Sequence, residues 1–555
     1  MSRTLPPESS LPALAISDDD KKDREFAPAA EIPVVAPVRP DEPIVTRREL
    51  WSYYLYYNGD NGVGPLGYSM TLFQSLATSA GYDPVNGPGS SCLAAGASGQ
   101  CVVPWGSGTK AVSSVVLVAT GVSFAVMTMI FTTIGSAADY GTFGRWLLLV
   151  VTVICWAAQF ASVSLTSPSR WGAAMGLYMV GFITYGATLV FYAAVFPRLA
   201  RNTQHARDLK EKYDNGEIPA EVYEQEESLE KNRISNISTM HSNIGYIFTL
   251  ALNLSLLLPN TTKNNPKVNN YVLVLTNGYW VITGIWWFIY QQPRPGPKLP
   301  KGESYLTIGW KQIWVALKQY KKLPYTFIYL VAFFLLADGL NTTGTLVSIC
   351  QNDKFSFSFL QNTYLGLAQA FTSTASTLGF WHIQRYWKIS TKKMFIVTNV
   401  VTVMIPLWGM IGIWTDKFGF HNAWEFWAYN VVFGLFQAPY YAFSQTMMAE
   451  LTPPGFDNMF FGLFGLSNRA SSMIGPNVIQ AIIDDTGNNW KGFPFLFALC
   501  AAASLVIWFG VDVTKGRRAA VRWAEETRDV YGVMGGLGVG AERKDRESVG
   551  STGKS

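Results

Sequence analysis

Two acids in this chain sit where acids are costly. Asp338 lies in Ala337-Asp338-Gly339-Leu340-Asn341-Thr342-Thr343-Gly344, inside an apolar run from Tyr325 to Ile349 that is long enough to cross a bilayer. Asp60 lies in a similar stretch, Asn58-Gly59-Asp60-Asn61-Gly62-Val63-Gly64-Pro65. A carboxylate near a bilayer centre costs about 3 kcal/mol on insertion scales, so it is usually kept to handle a substrate, an ion or a proton. Glycine-interrupted spans at matching places in two halves point to a binding site near the midplane, where broken helices expose backbone N–H and C=O groups. The competing reading is a packing device, with glycines for close contact and polar residues as glue.

Two further features could line such a site. Arg469 falls mid-span and could take a substrate carboxylate in a bidentate contact or brace the bundle in a fixed ion pair. Asn430, Gln437, Tyr441 and Ser444 recur at spacings of 7, 4 and 3 and share one helical face. Such a polar stripe suits a wet cavity or a neighbouring helix, and Pro439 can break the helix at that level. Enzyme chemistry has no comparable foundation. The four histidines, His205, His241, His382 and His421, are far apart, and no Cys/His spacing suits zinc. No phosphate loop is present, and Gly59-x-x-Gly62-x-Gly64 follows no strand, so neither ATP nor a dinucleotide cofactor is expected.

Composition says what must position these residues. Of 555 residues, 49% are hydrophobic and 15% charged, against about 25% charged in soluble domains. About twelve spans fall near 49–78, 110–135, 145–165, 171–196, 241–258, 271–290, 323–349, 360–382, 393–414, 423–448, 457–483 and 492–512. The expectation is an all-α membrane protein of two six-helix halves, 48–290 and 323–512, joined by a linker at 291–322. Lysines and arginines crowd the loops on one side: Arg47 and Arg48, Arg145, Arg198 to Lys212, Arg294 to Lys322, Arg385 to Lys393, and Lys515 to Arg522. The positive-inside rule puts both ends in the cytosol. The net charge of +5 therefore describes topology and gives no sign of a nucleic-acid partner.

Segments outside the spans divide by composition. Residues 1–47 and the end of the 513–555 tail read as disordered, the latter after a basic amphipathic start. The 81–109 loop, rich in Gly, Ser and Pro, lies opposite the cytosol; its Cys92 and Cys101 could pair or remain free thiols. Among the glycosylation sequons only Asn260-Thr261-Thr262 faces that side. The charged 197–240 segment reads as a solvated helical hairpin. In the linker, Trp310, Ile313, Trp314 and Leu317 share one face among lysines, as in a helix lying on the membrane.

Gly135-Ser136-Ala137-Ala138-Asp139-Tyr140-Gly141-Thr142-Phe143-Gly144-Arg145 resembles the gating loop of the major facilitator superfamily, with two extra residues before Gly144-Arg145. The resemblance implies that Asp139 caps a neighbouring helix and helps latch one state. Arg48-Glu49-Leu50, Ile134 to Tyr140, and Ala449-Glu450-Leu451-Thr452-Pro453 followed by Phe460-Phe461-Gly462-Leu463 narrow it further. Across about 48–512 the chain resembles the autophagy-related vacuolar amino-acid effluxers of fungi. That likeness implies a vacuolar transporter exporting leucine and other neutral amino acids. An amino acid would sit between Asp60/Asn61 and Asp338/Asn341, its carboxylate near Arg469. One acid could carry a proton, because burial favours the neutral carboxyl. The alternatives are a small-solute transporter of another membrane and a non-transporting scaffold recruiting partners through 197–240 and the tails.

Overall fold

The computed structural model describes residues 42–531, apart from 93–100, 261–265, 297, 300–302, 319, 356–358, 471–473 and 487. The first half begins with α1 (Arg47–Gly59), a π turn (Val63–Tyr68) and α2 (Ser69–Ala80), which together make the first span. Strands β1 (Val102–Trp105) and β2 (Gly108–Ala111) follow as an antiparallel hairpin. Then come α3 (Val112–Ile134), α4 (Phe143–Ala161), α5 (Trp171–Arg201), α6 (Gln204–Asp214), α7 (Ala220–Leu257) and α8 (Pro266–Tyr290). The linker holds α9 (Tyr305–Lys318). The second half runs α10 (Pro324–Lys354), α11 (Phe359–Trp387), α12 (Thr391–Ile411), and α13 (Ala423–Val432), whose span continues through a π turn (Phe433–Gln437) into α14 (Ala438–Leu451). It closes with α15 (Asp457–Ala470), α16 (Ile474–Thr486), α17 (Phe493–Gly510) and α18 (Val513–Tyr531).

Six described helical segments are long and apolar enough to cross a membrane: Phe143–Ser164, Pro168–Arg201, Asn270–Tyr290, Pro324–Gln351, Thr391–Ile411 and Asn489–Gly510. Val118–Ile134 and Ile474–Ile483 are shorter apolar stretches, and the first and tenth spans are divided by π turns. The halves meet along two seams. In one, α7 packs on α11 and α14; in the other, α15 packs on α3 and α5. Both ends of the described chain lie on one face. Val45 N donates to Asn202 O at 2.8 Å there, and Arg517 Nη1 donates to Glu224 O at 2.9 Å. This is called the terminal face below.

Three expectations need correction. Only the first of the two matched stretches is broken. Gly62 sits at φ +81°, in the left-handed region that glycine enters freely. Pro65 can donate no backbone hydrogen bond and would crowd the carbonyl of Asn61 in a regular helix. The second stretch lacks proline, and α10 runs unbroken through Asp338, Gly339 and Asn341. Its Gly339 serves packing instead, because an added methyl would run into Cys500 Sγ of α17. Gly59 plays the same part for α8, where a methyl would lie 2.8 Å from Trp280 Cα.

The 197–240 hairpin is not solvated along its length. It forms from the end of α5, α6 and the start of α7, and Glu227, Glu230, Lys231, Asn232 and Ser235 are buried. The linker helix also turns differently. Ile313 is buried with Ile308 against the bundle, and Trp310, Trp314, Leu306 and Leu317 are exposed. Trp310 Nε1 donates to Thr133 Oγ1 of α3 at 3.1 Å. In the 81–109 loop the first of the two open readings is met. Tyr82 bridges to Val102, and Cys92 and Cys101 are joined in a disulfide. Asn260 ends a 3-10 turn (Leu258–Asn260), but its side chain lies outside the described residues.

Candidate functional site

The break in the first span is surrounded by buried polar groups. Asn61 Nδ2 donates to Asn58 O at 3.1 Å and to Thr249 Oγ1 of α7 at 3.0 Å. Its Oδ1 accepts from Val63 N at 3.2 Å, which secures the chain on the far side of the break. Asn58 receives the hydroxyl of Tyr279 and donates to His241 O at 2.8 Å. One turn deeper, Asn253 Nδ2 donates to Thr276 Oγ1 at 3.0 Å. Asp60 is 1% exposed and lies near Tyr56 and Cys155. The sequence supplies this cluster because Pro65 forces the interruption and amides then satisfy the exposed backbone.

In the second half, Asp338 is 0% exposed and its Oδ1 accepts Gly475 N at 3.0 Å. It therefore caps the start of α16, where the helix dipole favours a negative charge. Thr342 lies one turn along, beside the same carboxyl. The two acids are thus held by different neighbours, each within its own half. Asn341 is half-buried one turn along. On the tenth span, Gln437 Nε2 donates to Tyr441 OH at 3.1 Å, and Ser444 Oγ donates to Tyr441 O at 2.8 Å. Asn430 Nδ2 donates to Phe426 O at 2.8 Å. The π turn lies between Asn430 and Gln437, so their spacing of seven no longer counts two α turns. Arg469 belongs to α15, but its side chain lies outside the described residues.

The terminal face carries a dense set of contacts between the halves. Asp139 Oδ1 accepts Asn458 N and Nδ2, both at 2.8 Å, and Oδ2 accepts Met459 N at 2.9 Å. It thereby caps α15 across the seam. Gly465 lets α15 approach α5 closely, since a methyl there would run into Val190 Cγ2. Arg201 Nη2 meets Asp457 Oδ2 at 3.0 Å. Ser228 Oγ donates to Glu450 Oε1, which also accepts Thr391 Oγ1 at 2.8 Å. Arg517 of α18 reaches Glu450 at 3.4 Å and Glu227 at 3.9 Å. Arg145 takes no part in these bonds and donates instead to Phe288 O at 3.2 Å.

Charge in this region is shifted by its surroundings. Burial, and then the carboxylate of Asp457, push Asp139 up to about 7 against the pull of its N–H donors. Burial also raises Glu227, but Lys231 at 3.0 Å and Arg517 outweigh it and hold that carboxyl at about 2. Of the residues in this latch, sequence reasoning pointed to Asp139 and Gly135. It missed Arg201, Glu227, Lys231, Glu450, Asp457 and Arg517. Arg201, Glu227, Lys231 and Arg517 stand in ordinary runs of surface-like charges, Glu450 and Asp457 are lone acids in an apolar stretch, and only the fold brings them together. Among the described residues, no group of three or more His, Cys, Asp or Glu is placed to hold a metal ion.

Residues 45–521 match the family described as "Vacuole effluxer Atg22 like". Autophagy-related protein 22 of Gibberella zeae is 25% identical over 552 residues, covering 87% of this chain and 82% of the relative. The protein of that name from Pichia angusta is 27% identical over 327 residues, 52% of this chain and 58% of the relative. Two solved transporters share the fold. The proton:xylose symporter XylE, of the major facilitator superfamily, aligns at TM-score 0.58 and 10% identity over 86% of this chain and 98% of its own. The human organic anion transporter MFSD10 (TETRAN) aligns at 0.53 and 13% identity over 83% and 99%.

Proposed function

Because this chain belongs to the Atg22-like family of vacuole effluxers and has a major facilitator fold, we propose that it exports amino acids from the vacuole lumen to the cytosol after autophagic breakdown. Leucine and other neutral or branched amino acids are the substrates of this reading. Family and fold are those of a transporter, not of an enzyme. The terminal face is cytosolic in the proposal, because the basic loops lie there.

The observation that carries the proposal is the latch between halves on that face. Asp139 caps a helix of the opposite half, and Arg201 pairs with Asp457 across the same seam. Bonds of this kind join two rigid bundles at one end and can be broken together, as alternating access requires. The described state is closed towards the cytosol in this reading. Substrate reaches the polar groups at the first-span break, Asp60 and Asn61, and those of the second half, Asn341, Asn430, Gln437 and Tyr441. Arg469 is the proposed partner of the substrate carboxylate, and Asp338 of a proton moving with it.

Vesicles containing the purified protein and loaded with leucine test this. Flux that rises when the leucine side is acidic supports proton-coupled export. Flux without gradient dependence removes the proton, and the absence of amino-acid flux removes the transporter reading. Asp338→Asn keeps an acceptor for Gly475 N but holds no exchangeable carboxyl proton. It is expected to abolish gradient-driven flux while the protein still folds; unchanged flux would reduce Asp338 to a helix cap.

A further inference from the structure

Behind the latch, on the terminal face, lies a cavity of about 70 Å³ that none of the roles above occupies. It is lined by Arg145, Arg198 and Arg294 of the first half and its linker, with Gln291, and by Asp457 and Asn458 of the second. The three guanidiniums are not equivalent. Arg294 is held in a bidentate pair by Glu49, at 2.5 and 2.9 Å. Arg145 donates only to Phe288 O, and Arg198 only to Arg294 O at 2.9 Å; among the described residues neither has a carboxylate partner. Each keeps donors for an anionic group.

The same cavity holds the opposite requirement. Asp457 is 2% exposed; its Oδ2 is taken by Arg201, and its Oδ1 has no hydrogen-bond partner among the described residues. Gln291 Oε1 is likewise buried without one. An unmatched buried acceptor is costly. A simple anion would satisfy the guanidiniums and leave these acceptors unmet, with repulsion from Asp457. A simple cation would do the reverse.

We propose that this cavity is a second binding site, for the zwitterionic head of an amino acid. Its carboxylate is held by Arg145 and Arg198, and its ammonium by Asp457 Oδ1 and Gln291 Oε1. The identity of the ligand as the transported product rests on the function proposed above; the site itself does not. The ligand bridges the two halves beside Asp139 and the Arg201–Asp457 pair, so it strengthens the closed latch. Product accumulating in the cytosol then slows its own export.

The test reads the site directly in the full-length protein. Thr142 is exposed at the cavity and its side chain makes no capping bond, so Thr142→Cys places a thiol there. The remaining free cysteines, Cys155, Cys350 and Cys500, are buried. Glycine is expected to slow maleimide labelling of that thiol at least fivefold. N-acetylglycine and methylamine, each lacking one charge, are expected to leave it unchanged. Adding Arg198→Gln should abolish protection, and Arg198→Lys should restore part of it. Protection by N-acetylglycine or inorganic phosphate equal to that by glycine would make this an anion site and overturn the assignment. So would the absence of protection, or protection that survives Arg198→Gln. In vesicles that do transport, leucine on the terminal face should inhibit efflux, and Arg198→Gln should weaken that inhibition about tenfold without changing the KM on the other side. If no amino acid is transported but glycine still protects the thiol, the export reading fails and the site stands.

Discussion

Arg201→Gln tests the latch most sharply. Arg201 lies in the last turn of α5, and its guanidinium meets Asp457 in the first turn of α15 at 3.0 Å. Their side chains are 13% and 3% exposed. Removing one partner of a buried ion pair costs about 3–5 kcal/mol, because the other charge is left uncompensated. Here Asp457 would be stranded beside a second acid, since its charge already acts on Asp139. Opening the seam lets water reach Asp457, so the cost falls on the closed state alone. The closed-to-open ratio should then drop by roughly two to three and a half decades. Ser235 offers a reporter: it is 1% exposed and donates to Ala442 O across the α7–α14 seam at 3.0 Å. With Ser235→Cys as background, maleimide applied from the terminal face should label Arg201→Gln at least a hundredfold faster. The double variant Arg201→Gln/Asp457→Asn removes the stranded charge and should recover most of that loss. Labelling of the single variant at the parent rate would refute the latch. A fast double variant would show that lost packing, not charge, opened the seam.

Other consequences can be checked in the same system. Asp139 is pushed up to about 7 in the closed state, well above a solvated aspartate, so that state holds a proton the solvated side chain would release. The closed state is therefore favoured below about pH 7 and loses that advantage as pH rises through 7; labelling at Ser235→Cys should quicken from pH 6 to pH 8, and Asp139→Asn should flatten the profile. A methyl at Gly59 would strike Thr283 and the backbone of Trp280, so Gly59→Ala should lower stability by about 1–3 kcal/mol, read as a drop in Tm, whereas the open position of Gly67 should accept alanine with little change. Trp314 and Leu317 are 60% and 45% exposed on a helix otherwise packed to α3; replacing both with serine should leave Tm nearly unchanged but weaken adhesion of a synthetic 305–318 peptide to anionic vesicles.

The plan of the molecule was largely legible from residue order. Apolar runs and the one-sided lysines and arginines are strong signals, because each span must hide its backbone from lipid independently of its neighbours. Breaks were less legible. The stretches around Asp60 and Asp338 look alike in acid, amide and glycine content, but Pro65 alone separates a broken span from the unbroken α10. Residues whose meaning depends on a distant partner were invisible. Glu227 and Lys231 read as a solvated face until α14 and α18 cover them, and Ile313 read as lipid-facing until α3 is placed beneath it. Asp139 was the exception, since a recurring local pattern marks it without knowledge of its partner.

Helix α7 runs for 38 residues without interruption, about 57 Å at the usual rise. A bilayer's hydrocarbon core accounts for about 30 Å of that. Roughly 27 Å of stiff rod therefore projects beyond the lipid, continuous with the Thr249 that binds Asn61. A tilt of about 10° moves its tip by roughly 5 Å. The projecting arm is bonded to the second half through Glu226–Lys388, Ser228–Glu450 and Glu227–Arg517, so one stiff helix links those bonds to the broken span. Anything that grips the α6–α7 turn from outside thus gains mechanical purchase on the polar interior without entering it.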